Sequence, residues 1–142
     1  MNPSPGHTGT VTAQGDLGFD VTPAPAAPAL GRRALERLAG AVAPGELADL
    51  QLIASELISN SVLHAGLDEH ELVSMRVAVS GSAVRIEVED RGRGFTPRAV
   101  PEHGAGLGGL GLELVDRVAS RWGIVRTRTT LVWAEIDHER AA

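Results

Sequence analysis

Glu56-Leu57-Ile58-Ser59-Asn60-Ser61-Val62-Leu63-His64 is the stretch on which the fold reading turns. Glu56, Asn60 and His64 are each four residues apart, so on an α-helix they stack along one face. Such a polar stripe is ordinarily solvated. At roughly 100° per residue, however, Leu52 and Leu63 fall within about 40° of Glu56, and Ile53 lies beside Asn60. A carboxylate and a carboxamide with apolar borders are costly unless paired or ligand-bound, which points to a concave site. His64, close to the helix end, is read first as a dipole or capping partner rather than a catalytic group.

Working outward, the helix runs from about Glu46 to Ala65, with Gly66 placed as its C-terminal cap. Before it, Leu30, Ala34, Leu35, Leu38 and Val42 recur at helical spacing as far as Pro44-Gly45. Earlier still, Leu17, Phe19 and Val21 alternate with Gly18 and Asp20, the period of a short half-buried strand. Residues 1 to about 14 carry almost nothing apolar and read as a disordered tail, leaving 15–138 as one domain. After the helix, strands over about Leu72–Val79 and Ala83–Glu89 are joined by Ser80-Gly81-Ser82 as a hairpin. Leu110, Leu114, Val115 and Val118 then mark a third helix, and strands near Trp122–Thr127 and Thr130–Ile136 end the domain. The expected fold is α/β: a two-layer sandwich whose mixed, mostly antiparallel sheet carries three helices on one face.

Two further constellations bear on chemistry. Val84, Ile86 and Val88 face the core, and the same period turns Asp90 inward at the strand's end, unless the strand stops at Glu89 and Asp90 opens an Asx turn. Residues 91–111 are turn-rich, and five of the eight from Gly104 to Gly111 are glycine, the composition of a mobile loop. Glycines that lead into a helix let backbone N–H groups approach an anion such as phosphate, although a plain connector has the same composition.

Composition removes other classes. With no cysteine among 142 residues, disulfides, thiol nucleophiles and cysteine-zinc sites are excluded. The 13 basic residues are all arginine, so no P-loop lysine exists. A net charge of −5, with arginines spread along the chain, argues against a nucleic-acid partner. No apolar run approaches the roughly 20 residues of a membrane span. No secretory signal is visible at the N-terminus, so a cytoplasmic location is expected.

Together and in order, the three constellations resemble the GHKL ATPases, whose ATP-binding unit is the Bergerat fold. Glu56-x-x-x-Asn60 is similar to the family's N box, Asp90-x-Gly92-x-Gly94 to its G1 box, and Gly109-x-Gly111-Leu112 to its G2 box. Thr130-Leu131-Val132-Trp133-Ala134-Glu135 is similar to the last strand of the small actinobacterial members. The resemblance implies ATP and Mg²⁺ as cofactors, with Asn60 helping to coordinate the metal and Asp90 accepting from the adenine amino group. It also implies that Gly92 and Gly94 shape the adenine-side turn, that Gly109, Gly111 and Leu112 belong to an ATP lid, and that Ser59 lies near the phosphates. Glu56 is implied as the general base. Where family members usually carry Gly-Thr, this chain has Thr129-Thr130, which leaves the role of Thr130 in the adenine pocket open.

Histidine-kinase catalytic domains normally follow a dimerising helical hairpin, which is not seen upstream of Leu17, and gyrase, Hsp90 and MutL are much larger chains. The resemblance therefore narrows to the anti-sigma-factor serine/threonine kinases, which sequester a sigma factor and phosphorylate an antagonist protein. Homodimers are common among such members. A nucleotide-dependent interaction module without kinase activity is the alternative, and a scaffold that binds no nucleotide the third possibility.

Overall fold

The computed structural model describes residues 7–11, 16–64, 66–68, 70–91 and 112–138. Six strands and three helices follow in the order β1 (His7–Val11), β2 (Leu17–Val21), α1 (Ala27–Leu35), α2 (Pro44–His64), β3 (Val73–Val79), β4 (Ala83–Asp90), α3 (Leu112–Val118), β5 (Arg121–Arg126) and β6 (Thr130–Asp137). They form one sheet of order β1-β2-β3-β4-β6-β5, and all five pairings are antiparallel. The fold is thus the expected two-layer α/β sandwich. Its sheet is purely antiparallel among the described strands; β3 runs against β2 because the chain leaves β2 at Val21 and, after α1 and α2, re-enters at Val73, the register partner of Val21.

Alternation builds the core. Leu17, Phe19 and Val21 of β2, Val73, Met75 and Val77 of β3, Val84, Ile86 and Val88 of β4, and Val132, Ala134 and Ile136 of β6 are all buried on one sheet face. Leu35 from α1, Leu50, Ile53, Leu57 and Ile58 from α2, and Leu112 and Val115 from α3 close over them. The two longest helices touch closely at Gly31, where a Cβ would clash with Ile58 Cδ1. Among the described residues no helix is long and apolar enough to cross a membrane.

Two expectations are corrected. His7–Val11, inside the segment expected to be a tail, forms β1 and pairs along its whole length with β2. Main-chain hydrogen bonds hold it, a contribution that side-chain hydrophobicity does not register. The helix expected over Leu30–Val42 instead starts at Ala27, with Pro28 tolerated in its first turn, and ends at Leu35 in a 3₁₀ turn over Glu36–Leu38. Val42 is nonetheless buried, held by a bridge to Ala39. Gly66 follows α2 at φ +67°, the left-handed conformation expected of a cap.

Candidate functional site

α2 starts without a side-chain cap at Ala43; instead Glu46 Oε1 accepts the Ala43 N–H at 2.8 Å, half of a capping box. From there the helix runs along the sheet. Its buried row of Leu50, Ile53, Leu57 and Ile58 brings its last turn over the end of β4. There the Ser61 hydroxyl donates to Asp90 Oδ2 at 2.6 Å. Ser61 and Asp90 are 4% and 2% exposed.

Asp90 belongs to β4 rather than to a turn, so the period-2 reading holds and the Asx-turn alternative does not. Its register partner is Thr130, the first residue of β6, which is 5% exposed. Asn60, at 5%, precedes Ser61 on the helix. Asn60, Ser61, Asp90 and Thr130 therefore adjoin at one end of the sandwich. The neighbouring carboxylate, Glu89, points to the opposite sheet face, and there the Thr129 hydroxyl donates to its Oε2 at 2.8 Å. A hydroxyl thus holds each of the two consecutive acids at the strand's end. The Thr129 of the unusual Thr129-Thr130 pair has a structural partner.

Other expected residues fall differently. Glu56 and Ser59 are half-buried, while Leu52 and Leu63 are 47% and 72% exposed. Those leucines do not wall a concavity among the described residues. Asn60 is drawn inward because it lies next to the buried Ile53 row, and Glu56, one turn earlier at the edge of the same face, is half-buried. Leu112 is fully buried as the first residue of α3, so its side chain serves the core. Gly92, Gly94, Gly109, Gly111, the loop expected over 91–111 beyond Arg91, and the His64 side chain lie outside the described residues. α3 is tied to the sheet edge by Trp122 Nε1–H, which donates to Asp116 Oδ1 at 2.8 Å.

Sequence reasoning missed Ser61. The available signal was its place on the buried row: it follows Leu57 by one turn, and a hydroxyl there needs an inward partner of the kind Asp90 supplies.

Among the described residues, two cavities lie elsewhere and contain none of these residues. One, of about 410 Å³, sits on the sheet face away from the helices beside Gly18, Arg76 and Arg85. The other, of about 440 Å³, lies under the start of α2 beside Glu46, Asp49, Asp137 and His138. The outer face is covered by ion pairs. Arg85 stacks on Trp133 at 4.4 Å and bonds Glu87 at 3.0 Å, and Arg121 joins Glu135 at 2.6 Å and also Asp137. The Arg121 hydrogen bond, aided by Arg85, holds the Glu135 carboxyl below its ordinary range despite partial desolvation.

A family model described as the histidine kinase-like ATPase domain matches residues 21–134, from the end of β2 to the middle of β6. The chain belongs to that family. A comparison with curated proteins finds no match. Members of the histidine kinase-like ATPase family are ATP-binding domains that act as ATPases or kinases, and the matched span includes every residue of the α2–β4–β6 joint. Within this ATPase domain the buried polar end of the sandwich, rather than either cavity, is the candidate nucleotide site.

Proposed function

We propose that the chain is an ATP-dependent protein serine/threonine kinase that acts as an anti-sigma factor, sequestering a sigma factor and phosphorylating a serine or threonine of an antagonist protein. The observation that carries the nucleotide reading is the joint itself: Asn60, Ser61, Asp90 and Thr130, each no more than 5% exposed, adjoin where α2 meets the ends of β4 and β6. Buried polar groups gathered at one edge of a core are what a polar ligand needs for orientation.

The residue types suit ATP and Mg²⁺. An ionised Asp90 only accepts hydrogen bonds and so matches the amino group of adenine. The Asn60 carbonyl oxygen is the hard donor that Mg²⁺ prefers. Among the described residues no group of three or more His, Asp or Glu is arranged to hold a metal. When bound, ATP supplies the phosphoryl group and Mg²⁺ the charge that stabilises its transfer.

The chain's own residues position and deprotonate. Asp90 and Thr130 orient the base end, while Asn60 and Ser59 serve the phosphate end. Glu56, one turn before Asn60, takes the proton from the acceptor hydroxyl. Its side chain is half-buried rather than enclosed in the core, which supports this role, because an acceptor on another protein must reach the base from outside. The backbone of Gly92, Gly94, Gly109 and Gly111 is assigned to the turn and the lid. The sigma-factor and antagonist partners rest on the resemblance of the three boxes and the last strand.

The test is incubation with γ-labelled ATP, Mg²⁺ and antagonist proteins encoded beside the chain, with capture of sigma factors in parallel. Labelled antagonist supports the kinase. ATP binding and sigma capture without transfer leave the interaction module, and failure to bind ATP or ADP removes both.

A further inference from the structure

We propose that Ser61 is a positioning residue for the Asp90 carboxylate and that its hydroxyl sets how strongly the site separates adenine from guanine nucleotides. The inference rests on the adenine-site reading of Asp90 and deepens it.

A serine inside a helix ordinarily turns its hydroxyl to solvent or back to a carbonyl of the preceding turn. Ser61 instead gives its single hydrogen to another element, at 2.6 Å from Asp90 Oδ2, with both side chains almost wholly buried. A hydrogen bond from a hydroxyl to a carboxylate is among the stronger kinds, and burial shields it from competing water.

The torsion that turns a carboxylate about its Cβ–Cγ bond is broad, so the Asp90 backbone leaves open the plane in which its oxygens lie. Anchoring Oδ2 on Ser61 defines that plane, and with it the direction of the other oxygen. This matters because the two purines differ by where their donors sit. Adenine carries its donor on the exocyclic amino group, whereas guanine has a carbonyl there and an N–H at the adjacent ring position. A carboxylate free to turn can follow the donor from one position to the other. One held by Ser61 meets the guanine carbonyl acceptor to acceptor, the arrangement that leaves buried groups unpaired. Ser61 thus acts through Asp90, and its effect is on selectivity as well as affinity.

The experiment titrates fluorescently labelled ADP and GDP into the full chain as wild type, Ser61→Ala, Ser61→Thr, Ser61→Cys and Asp90→Ala, with folding followed by circular dichroism. Ser61→Ala is expected to bind ADP about ten-fold more weakly and to lose a similar factor from its ADP-to-GDP ratio. Ser61→Thr keeps the hydroxyl and restores both. General loosening of the core weakens ADP and GDP alike and leaves the ratio unchanged, so the ratio isolates positioning from packing. If Ser61→Ala does not fold, Ser61→Cys, of similar size but with a weaker donor, is expected to lower the ratio by a smaller factor. A folded Ser61→Ala or Ser61→Cys with the wild-type ratio overturns the positioning role. Asp90→Ala with wild-type ADP binding and ratio overturns the adenine site itself and leaves Ser61 nothing to position.

Discussion

His138 and Glu46 close the end of the sandwich opposite Asp90: His138 Nδ1 lies 2.6 Å from Glu46 Oε2, and its Nε2 lies 2.7 Å from the Ser80 carbonyl. Both ring nitrogens face acceptors, and only the protonated imidazole can donate to two. The bond to Glu46, then that to Ser80, raises the His138 pKa above its ordinary 6.5. Burial pushes the Glu46 carboxyl up, but the Ala43 N–H, the His138 bond and the His138 charge bring it below its ordinary 4.5. Asp137 and Asp49 add negative charge around the same cavity.

The consequence for stability has a definite sign. A raised His138 contributes fully below about pH 6.5 and loses its contribution as pH rises through its folded value. A lowered Glu46 contributes fully above about pH 4.5 and loses it as pH falls through its own. The pair is complete between those limits. Urea unfolding at pH 5.5 and pH 8 is expected to show a wild-type loss on the order of 1 kcal/mol that His138→Gln lacks. Equal pH dependence in the two proteins contradicts a charged bridge.

Base choice tests Asp90 directly. Wild type is expected to prefer ADP to GDP by roughly ten-fold to hundred-fold, because guanine sets a carbonyl against the carboxylate. Asp90→Asn, whose amide can donate as well as accept, is expected to narrow the preference. Equal wild-type affinity for the two nucleotides removes Asp90 from the adenine site.

For Asn60 the readout is metal dependence. Asn60→Ala is expected to abolish most of the difference between ATP affinity in Mg²⁺ and in EDTA, while the EDTA value stays near wild type. A wild type whose affinity is the same in both buffers argues against any metal-linked role for Asn60.

Glu56 separates enzyme from binder. Glu56→Ala is expected to bind ATP nearly as wild type does, while single-turnover transfer to the antagonist falls by about 10² to 10⁴. Retained transfer at the normal rate places the base elsewhere.

Gly31 tests the helix-to-helix contact. Gly31→Ala forces a methyl against the fully buried Ile58 side chain, an overpacking cost of about 1–3 kcal/mol that alanine's better helix propensity offsets by about 1 kcal/mol, so a net loss of up to about 2 kcal/mol is expected in thermal unfolding. Adding Ile58→Val, which removes the Cδ1 atom in question, is expected to recover part of the loss. No recovery means that the cost arises elsewhere.

Much of this architecture could be read from the chain because the strands are buried on one face only. Val84, Ile86 and Val88 announce their period, and the same count carries Asp90 inward. The four-residue spacing of Glu56, Asn60 and His64, with Ile53 beside Asn60, announces α2 in the same way. β1 could not be read, since its stability comes from backbone pairing that any polar residue can supply. The early end of α1 was hidden because Val42 is buried without being helical, and burial alone mimics helical spacing. At the site, Glu56 and Asn60 were legible as a face. The Ser61–Asp90 and Thr129–Glu89 bonds were not, because each joins residues far apart in the chain whose meeting depends on sheet order.

The chain has two tryptophans and no tyrosine. Trp122 packs towards the core and is hydrogen-bonded to Asp116 of α3, whereas Trp133 lies on the outer face beneath Arg85. The two indoles therefore report from opposite sides of the sheet. A displacement of α3, the helix that follows the glycine-rich segment, alters the surroundings of Trp122 and leaves Trp133 as an internal standard. The protein carries its own optical gauge, and replacing one indole at a time with phenylalanine reads each side of the sheet without an attached label.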